Sequence, residues 1–212
     1  MKAILMVMLV AGVAHADEAT TVLAKAQQFY ANASHLQAKF EQQVTNTTFG
    51  KTDTSQGNVY IAKPGSFRFD YNNKSRAITK TFAFDGKTGW FVDNVNKKIH
   101  TGRATGAELP AAVSFLTGGD LAKQFTVALD ATGAYAAKEA TVLKLTPKVV
   151  SAQYKPVYFV VDPKDGHVRE SVVINSNGDV NHFKFYAPDL KTPVEPALFQ
   201  INTHQPGYTV GP

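Results

Sequence analysis

The amino-acid sequence predicts a mainly β (α+β) fold, in which a strongly bent antiparallel sheet of about 11 strands carries helices on one face. The first observation is the stretch from Gly57 to Phe91, where aromatic and β-branched residues alternate with polar ones. The second is the turn chemistry between these runs, as in Lys63-Pro64-Gly65 and Asp85-Gly86-Lys87-Thr88-Gly89. The third is the return of the same alternation from Phe125 to Thr203. Together they predict a meander with one strongly aromatic buried face.

The N-terminus has the pattern of an export signal. Met1-Lys2 carries positive charge, Ala3 to Val13 is apolar, and Ala14-His15-Ala16 has the small-x-small cleavage pattern. The apolar run is shorter than the roughly 20 residues that a membrane-spanning helix needs. We therefore predict a cleaved signal peptide over residues 1–16 and an exported, soluble mature protein beginning at Asp17. The alternative is an uncleaved N-terminal anchor.

Helices are predicted in two places. From Glu18 to Ser34, apolar residues recur at helical spacing and would form one stripe, namely Val22, Ala26, Phe29 and Ala33. Between the two β-rich halves, Leu109–Leu116 suits a short helix with Pro110 in its first turn, and Gly119–Lys123 suits a second short turn of helix. Short apolar helices of this kind are expected to lie across one face of the sheet.

The strands are expected to form a single domain over residues 17–212. The first strand is placed at Leu36–Phe49, and Gly50–Ser55 is interpreted as a polar turn into the central meander. Later strands are predicted at 98–101, 125–129, 141–146, 157–161, 167–174, 180–186 and 199–203. No repeat, low-complexity tract or linker divides the sequence.

Residues that would carry catalysis do not form a recognisable set. The sequence has no Cys, which removes disulfides, thiolate metal sites and Cys nucleophiles. Asp85-Gly86-Lys87-Thr88 resembles the end of a phosphate-binding loop, but Thr81 stands where the upstream Gly is needed. The six His residues are scattered without metal-ligand spacing. We therefore expect no enzyme activity, no cofactor and no metal site.

The positive charge does not indicate nucleic-acid binding. The sequence pI is about 9.3, yet Lys97-Lys98 is the only adjacent basic pair and no basic helix is predicted. Dispersed Lys residues are typical of a solvated surface, or of one attracted to anionic partners and membranes.

The sequence resembles the periplasmic outer-membrane lipoprotein carrier family, the LolA proteins. The resemblance rests on segments in order along nearly the whole mature chain: Leu36-Gln37-Ala38-Lys39-Phe40-Glu41-Gln42, Gly57 to Phe69, Asp85 to Phe91, Asn181-His182-Phe183-Lys184-Phe185, Phe199-Gln200-Ile201, and Pro206-Gly207-Tyr208-Thr209-Val210. It implies an incomplete antiparallel β-barrel with lid helices over a hydrophobic cavity. It also implies a monomeric periplasmic carrier that takes acylated lipoproteins from an inner-membrane lipoprotein-releasing ABC transporter to an outer-membrane acceptor.

The resemblance and the alternation together give a set of candidate binding residues. Those expected to contact acyl chains are Phe40, Phe67, Phe69, Phe84, Trp90, Phe115 and Leu116. Trp90 and Phe91 are adjacent, so only one of them can face the cavity. The family commonly has Arg before the Pro of the meander, where it bonds to the lid, whereas this sequence has Lys63 as the candidate lid latch. Phe69 stands where Trp is frequent.

Three other interpretations remain open. Similar half-barrels act as lipid- or peptide-sensing regulatory proteins in the periplasm, and a second domain or an extended tail would favour that function. A lipid-modifying enzyme is disfavoured by the missing nucleophile constellation. In the third interpretation, the aromatic face is an ordinary core closed by helices.

Overall fold

The computed structural model describes residues 11–102, 114–117, 119–152 and 154–211. A long N-terminal helix, α1, covers Ala11–Ala31. It therefore begins inside the predicted export signal and ends before Ser34. Its fully buried stripe is Ala19, Leu23, Ala26 and Tyr30, which is rotated by about one residue from the predicted one. Val22 and Phe29 are only partly buried beside that stripe.

Twelve strands of the described chain form one sheet in the order β12-β6-β5-β4-β3-β2-β1-β11-β10-β9-β8-β7. Their bounds are β1 His35–Asn46, β2 Lys51–Ala62, β3 Ser66–Asn72, β4 Ile78–Phe84, β5 Gly89–Asp93, β6 Lys98–Gly102, β7 Phe125–Leu129, β8 Thr141–Pro147, β9 Tyr154–Val161, β10 Val168–Asn175, β11 Val180–Asp189 and β12 Thr209–Gly211. All neighbouring pairs are antiparallel except β12 and β6, which are parallel. The predicted mainly β fold with an N-terminal helix is confirmed.

Short helical segments lie between the strands. A 3₁₀ turn covers Ser114–Thr117, and a short helix, α2, covers Leu121–Gln124. The Asp120 carboxylate caps α2 by accepting from the Lys123 backbone N–H at 3.2 Å, which confirms the predicted second turn of helix. Of the predicted helix Leu109–Leu116, the part before Ser114 lies outside the described residues.

Three predicted boundaries are wrong. The first strand, predicted to end at Phe49, ends at Asn46, and Phe49 lies in the turn that follows. The polar residues of the predicted turn Gly50–Ser55 belong largely to β2, which begins at Lys51 and pairs with β1 along its whole length. The predicted strand Phe199–Thr203 is instead the end of a 3₁₀ turn, Pro196–Phe199, followed by irregular chain. Pro196 favours that turn because its fixed φ suits a helix start. The last strand comes later, at Thr209–Gly211.

The principal core lies on the face of the sheet that α1 covers, here called the inner face. Side chains from β1, β2, β3, β7, β8, β9, β10 and β11 join α1 in one buried apolar cluster. Gly57 is required in this core, because a Cβ there would lie 1.9 Å from the Asp70 carbonyl oxygen and 2.9 Å from the Phe40 ring.

The outer face of β3–β6 is covered by the C-terminal segment. Asp70 is buried there, and its carboxylate accepts from Arg68 Nε at 2.9 Å and from Thr81 Oγ1 at 2.6 Å. Arg68 Nη1 donates to the Leu198 carbonyl at 2.9 Å. This hydrogen-bonded ion pair fastens the 3₁₀ turn Pro196–Phe199 to the sheet, and the Asp70 carboxylate has the partners that a buried charge requires.

Candidate functional site: the aromatic core beneath helix α1

Six of the seven predicted acyl-binding residues come together on the inner face. Phe40, Phe67, Phe69, Phe115 and Leu116 are buried members of the core cluster, and Phe84 packs against it with partial exposure. The strand residues converge because their directly paired partners project from the same face of the sheet. Register places Phe67 opposite Phe84 and Val59 opposite Phe69.

The rings of these residues contact one another in edge-on and tilted geometries. Phe40 lies 5.6 Å from Phe69 and 5.7 Å from Phe183 between ring centroids. Phe67 lies 5.5 Å from Phe84. Aromatic pairs at such distances stabilise the fold in addition to the stabilisation that comes from burying their apolar area. The inner face therefore presents a nearly continuous aromatic surface from β11 across β1 and β3 to β4.

The 3₁₀ turn Ser114–Thr117 closes this surface together with α1. The Phe115 ring lies 4.9 Å from Phe159, 5.8 Å from Phe185 and 5.0 Å from Tyr30. Leu116 is also buried, with 3% of its surface exposed. Phe115 and Leu116 therefore cover the inner face of the sheet, where an apolar ligand would contact the aromatic rings.

The prediction that Trp90 faces the core is wrong, because Trp90 lies on the outer face of the sheet. Register pairs Phe82 with Phe91 and Ala83 with Trp90, so Phe91 shares the face of Phe82 and Phe84 while Trp90 projects from the other side. The Phe91 ring is 4.8 Å from the Phe82 ring. Of the two adjacent residues, Phe91 is therefore the one on the aromatic inner face.

Lys63 fastens the end of α1. Its ammonium donates to the carbonyl oxygens of Tyr30 and Ala31, the latter at 2.9 Å. Its backbone N–H donates to the Ser34 carbonyl at 3.0 Å. The last carbonyls of a helix lack partners within the helix and carry partial negative charge, so an ammonium is a well-suited partner. Partial burial lowers the pKa of the Lys63 ammonium.

Tyr30 connects this fastening to the rest of the core. Its phenolic oxygen accepts from the Val168 backbone N–H at 3.0 Å, and burial raises the pKa of the phenol. The same residue supplies a carbonyl to Lys63 and a ring face to Phe115. Tyr30 thus links the end of α1 to β10, to Lys63 and to the 3₁₀ turn at once, so movement of the end of α1 disturbs all three.

Among the described residues, α1, the 3₁₀ turn and β9 pack closely against one another. A cavity of about 10 Å³ lies between α1, the 3₁₀ turn and β9, lined among others by Ala26, Tyr30, Phe115 and Phe159. That volume accommodates about one water molecule, far less than the roughly 300 Å³ or more of common ligand pockets. At this place in the described core, an acyl chain can enter only if α1 or the 3₁₀ turn moves, or if the rings repack.

A larger hollow lies on the outer face and is chemically unsuited to acyl chains. It has a volume of about 410 Å³ and lies between β4, β5 and the C-terminal segment. Its lining includes the polar side chains of Arg68, Thr81, Asn94 and Tyr208. Because polar residues form most of the lining, this hollow offers hydrocarbon much less apolar surface than the inner face does.

One cluster in the described chain has the composition of a cation site. Donor atoms of Asp162, Asp165 and His167 lie within 4.8 Å of one another. The Asp162 carboxylate, however, accepts from Arg169 and from the Lys164 backbone N–H, and these bonds hold its pKa below the usual range. Asp165 Oδ1 lies 2.7 Å from His167 Nδ1. These contacts account for the cluster as the hydrogen bonding of a tight turn.

Sequence reasoning missed several core aromatics. Phe183 and Phe185 lie stacked at 5.9 Å on the inner face of β11, and their i, i+2 spacing was the available signal. Tyr30 lies on a helical stripe one residue out of phase with the predicted one. Phe91 takes the place expected for Trp90, since alternation alone does not say which of two adjacent rings points inward.

The fold and site define a class of protein in which one large, mainly antiparallel sheet holds an aromatic core beneath an N-terminal helix. A family model described as outer membrane lipoprotein carrier protein LolA matches residues 31–202. The chain belongs to this family. Proteins of the family are periplasmic carriers rather than enzymes, so family membership confirms the expectation that the chain is not an enzyme.

Individual relatives support the same assignment. Over 110 residues the chain is 34% identical to an outer-membrane lipoprotein carrier protein of Chromobacterium violaceum, covering 52% of this chain and 50% of that protein. The aligned part thus spans only half the length of this relative. A carrier protein of the same description from Coxiella burnetii is 26% identical over 189 residues, covering 87% of this chain and 83% of that protein.

A solved structure shows the same fold at low identity. The crystal structure of a conserved protein from Thermus thermophilus is similar with a TM-score of 0.56 and 12% identity, covering 92% of this chain and 99% of that chain.

No helix among the described residues is both long enough and apolar enough to cross a membrane.

Proposed function

We propose that this chain binds the acyl chains of lipoproteins against the aromatic inner face and carries them between membranes. In this proposal residues 1–16 direct export, the protein works in the periplasm, and cargo passes from an inner-membrane lipoprotein-releasing ABC transporter to an outer-membrane acceptor. The observation that carries the proposal is the ring surface formed by Phe40, Phe67, Phe69 and Phe84 beneath α1, in a chain of the carrier family.

The energetics of hydrocarbon burial are consistent with such a site. Each buried CH₂ contributes about 0.8 kcal/mol, so a fully enclosed acyl chain of ordinary length contributes roughly 10 kcal/mol. Phe and Tyr rings offer large apolar area with few rotamers to order, so they can reshape around a ligand at little entropic cost. Because Phe84 is already partly exposed, it is the predicted residue at which a chain would first meet the core.

Access requires the cover to move. The Ser114–Thr117 turn and the end of α1 are held by ring contacts and by the Lys63 hydrogen bonds, and both can separate from the sheet without breaking a strand pair. We assign Lys63 the role of latch for the end of α1. Of the predicted lid helix Leu109–Leu116, the part before Ser114 lies outside the described chain, so the contact described for Lys63 is the one with α1.

The test uses a lipopeptide with a fluorescent acyl chain and the variant Phe84→Glu. We expect the wild type to bind the lipopeptide and Phe84→Glu to bind it at least tenfold more weakly, with a cooperative thermal transition retained. A charge on a half-exposed ring position can reach water, whereas a fully buried unpaired charge costs several kcal/mol. The matched control is Trp90→Glu, which places the same charge on the paired strand but on the outer face.

The outcomes separate a binding surface from an ordinary core. Equal loss of binding in Phe84→Glu and Trp90→Glu would show that the effect is not specific to the inner face. Global unfolding of Phe84→Glu alone would support the ordinary-core interpretation. Absence of lipopeptide binding by the wild type, in fluorescence and in calorimetry, would refute the proposal directly.

A further inference from the structure

One end of the sheet carries a distinctive set of hairpin turns. Strand register brings together the β1–β2, β3–β4, β5–β6, β8–β9 and β10–β11 turns at this end, within residues 47–50, 73–77, 94–97, 148–152 and 176–179. We call these turns, with two strand residues on either side of each, the basic rim. The β2–β3, β4–β5, β7–β8 and β9–β10 turns lie at the opposite end.

The basic rim holds the most exposed apolar side chains of the described chain. Phe49 at the tip of the β1–β2 turn is 82% exposed, and Val95 in the β5–β6 turn is 69% exposed. Val149 and Val150 in the β8–β9 turn are 81% and 96% exposed. Within the described residues, the four turns of the opposite end contain no exposed large apolar side chain. Exposing whole apolar side chains on three separate turns to water is unfavourable in free energy. Such exposure indicates a surface that contacts another apolar surface when the protein functions.

Charge follows the same division. Seven basic residues of the described chain belong to the basic rim, namely Lys51, Lys74, Arg76, Lys97, Lys98, Lys148 and Lys155, against two acidic ones, Asp93 and Asp179. Both carboxylates are occupied by turn backbone: Asp93 accepts from Val95 and Asn96, and Asp179 from Thr47. In the turns of the opposite end, defined in the same way, five basic residues face five acidic ones.

We propose that the basic rim binds the surface of an anionic lipid bilayer. Apolar tips enter the interfacial layer while neighbouring Lys side chains reach the phosphate groups. The tips stand on separate turns with polar residues such as Thr48 and Asn96 between them. A fluid bilayer receives such scattered tips, whereas a protein partner would need a separate matching pocket for each. This surface is distinct from the acyl-binding core, since none of its exposed apolar side chains belongs to the core cluster.

The test measures binding of the purified protein to vesicles of phosphatidylcholine with and without phosphatidylglycerol, by co-sedimentation at low and high salt. We expect binding only to the anionic vesicles and weakening with salt. Phe49→Ser should weaken it about tenfold. Lys97→Gln/Lys98→Gln together should weaken it about thirtyfold, since each Lys near the membrane contributes about 1 kcal/mol.

Matched controls lie away from the basic rim. Tyr186→Ser removes an exposed aromatic from the outer face of β11, and Lys87→Gln/Lys138→Gln removes two exposed charges from turns at the opposite end. Both controls should bind vesicles like the wild type. In a Trp90→Phe background, Phe49→Trp should shift its emission to shorter wavelength when anionic vesicles are added, because the tip leaves water.

Several results would overturn the proposal. They are absence of vesicle binding by the wild type, equal binding to neutral vesicles, or equal weakening in the control variants. If vesicle binding is absent but Phe49→Ser still impairs delivery of cargo to membranes that contain the acceptor protein, the basic rim is a protein-binding surface instead. Binding of the fluorescent lipopeptide is measured separately, so failure here leaves the proposed carrier function standing.

Discussion

The hydrogen bonds of Lys63 give the sharpest test of how the core opens. Its ammonium bonds two carbonyl oxygens at the C-terminus of α1, those of Tyr30 and Ala31. Lys63→Met keeps a flexible side chain of similar length but removes all donors. We expect the last turn of α1 to separate from the sheet more often in this variant, and bound acyl lipopeptide to leave faster.

The size of the effect can be worked from these two bonds. A hydrogen bond to a charged group contributes about 1.5–3 kcal/mol when well shielded, and less where water competes. Since Lys63 is only partly buried, we take about 1 kcal/mol for each bond and about 0.5 kcal/mol for the helix dipole. The sum of about 2–3 kcal/mol corresponds to a roughly 30- to 150-fold larger open fraction.

The assay is stopped-flow release of a fluorescent acyl lipopeptide, with amide hydrogen exchange over residues 28–34 as the structural readout. Lys63→Arg is the matched variant, because a guanidinium can donate to both carbonyls at once from a planar fork. Release should be fastest for Lys63→Met and slowest for Lys63→Arg, and exchange at the end of α1 should follow the same order. The global melting temperature of Lys63→Met should fall by roughly 5–10 °C, because the bonds that hold the end of α1 also stabilise the folded chain.

Equal release rates in the three proteins would refute the latch. Lys63 would then be a solvated residue beside a turn whose hydrogen bonds do not limit opening. Faster release in Lys63→Met without faster exchange in α1 would also contradict the reasoning, because the latch acts through the helix end.

Two further predictions concern stability. Gly57→Ala should lower the free energy of unfolding by about 1–3 kcal/mol, because its Cβ would lie 1.9 Å from the Asp70 carbonyl oxygen; thermal melting checks this against Gly102→Ala, where no atom lies within 4 Å. The hydrogen bond from His182 lowers the pKa of the Glu170 carboxyl. The ionised carboxylate therefore stabilises the folded state at any pH above the ordinary pKa of Glu. This stabilisation is lost as the pH falls through the lowered pKa of the folded protein. Glu170→Gln should therefore cost about 1 kcal/mol at neutral pH, and urea unfolding should show the difference shrinking below about pH 4.

The strands could be predicted largely because one face of the sheet is buried. Alternation at Phe67, Phe69 and Phe84 records that burial directly, and the structure places all three on the inner face. The pattern disappears in the first half of β2, where Lys51 to Gln56 are exposed on both faces. These residues form a strand because β1 supplies a complete ladder of hydrogen bonds, and such tertiary pairing leaves no periodic signal.

Other predictions are wrong where the local sequence pattern is compatible with two different structures. The helical stripe through Val22 and the one through Leu23 differ by one residue of rotation, and only the position of the sheet selects the second. Trp90 lies outside because register with β4 places Phe91 opposite Phe82. The C-terminal strand was misplaced because its parallel pairing with β6 joins residues far apart in sequence. In each case long-range pairing decided between locally equivalent alternatives.

The proposed acyl binding can be weighed against the contacts that cover the core in the described residues. In this proposal, an entering acyl chain displaces Phe115 and Leu116, both 3% exposed, and the ring of Tyr30. Re-exposing three such side chains costs about 5–9 kcal/mol at about 1.5–3 each, against roughly 10 kcal/mol from the chain. The net affinity of one chain is then only a few kcal/mol, because protein and ligand compete for the same aromatic surface. The carrier's own helices therefore set its affinity, because each contact that they make with the core in the empty protein must be given up when a chain binds.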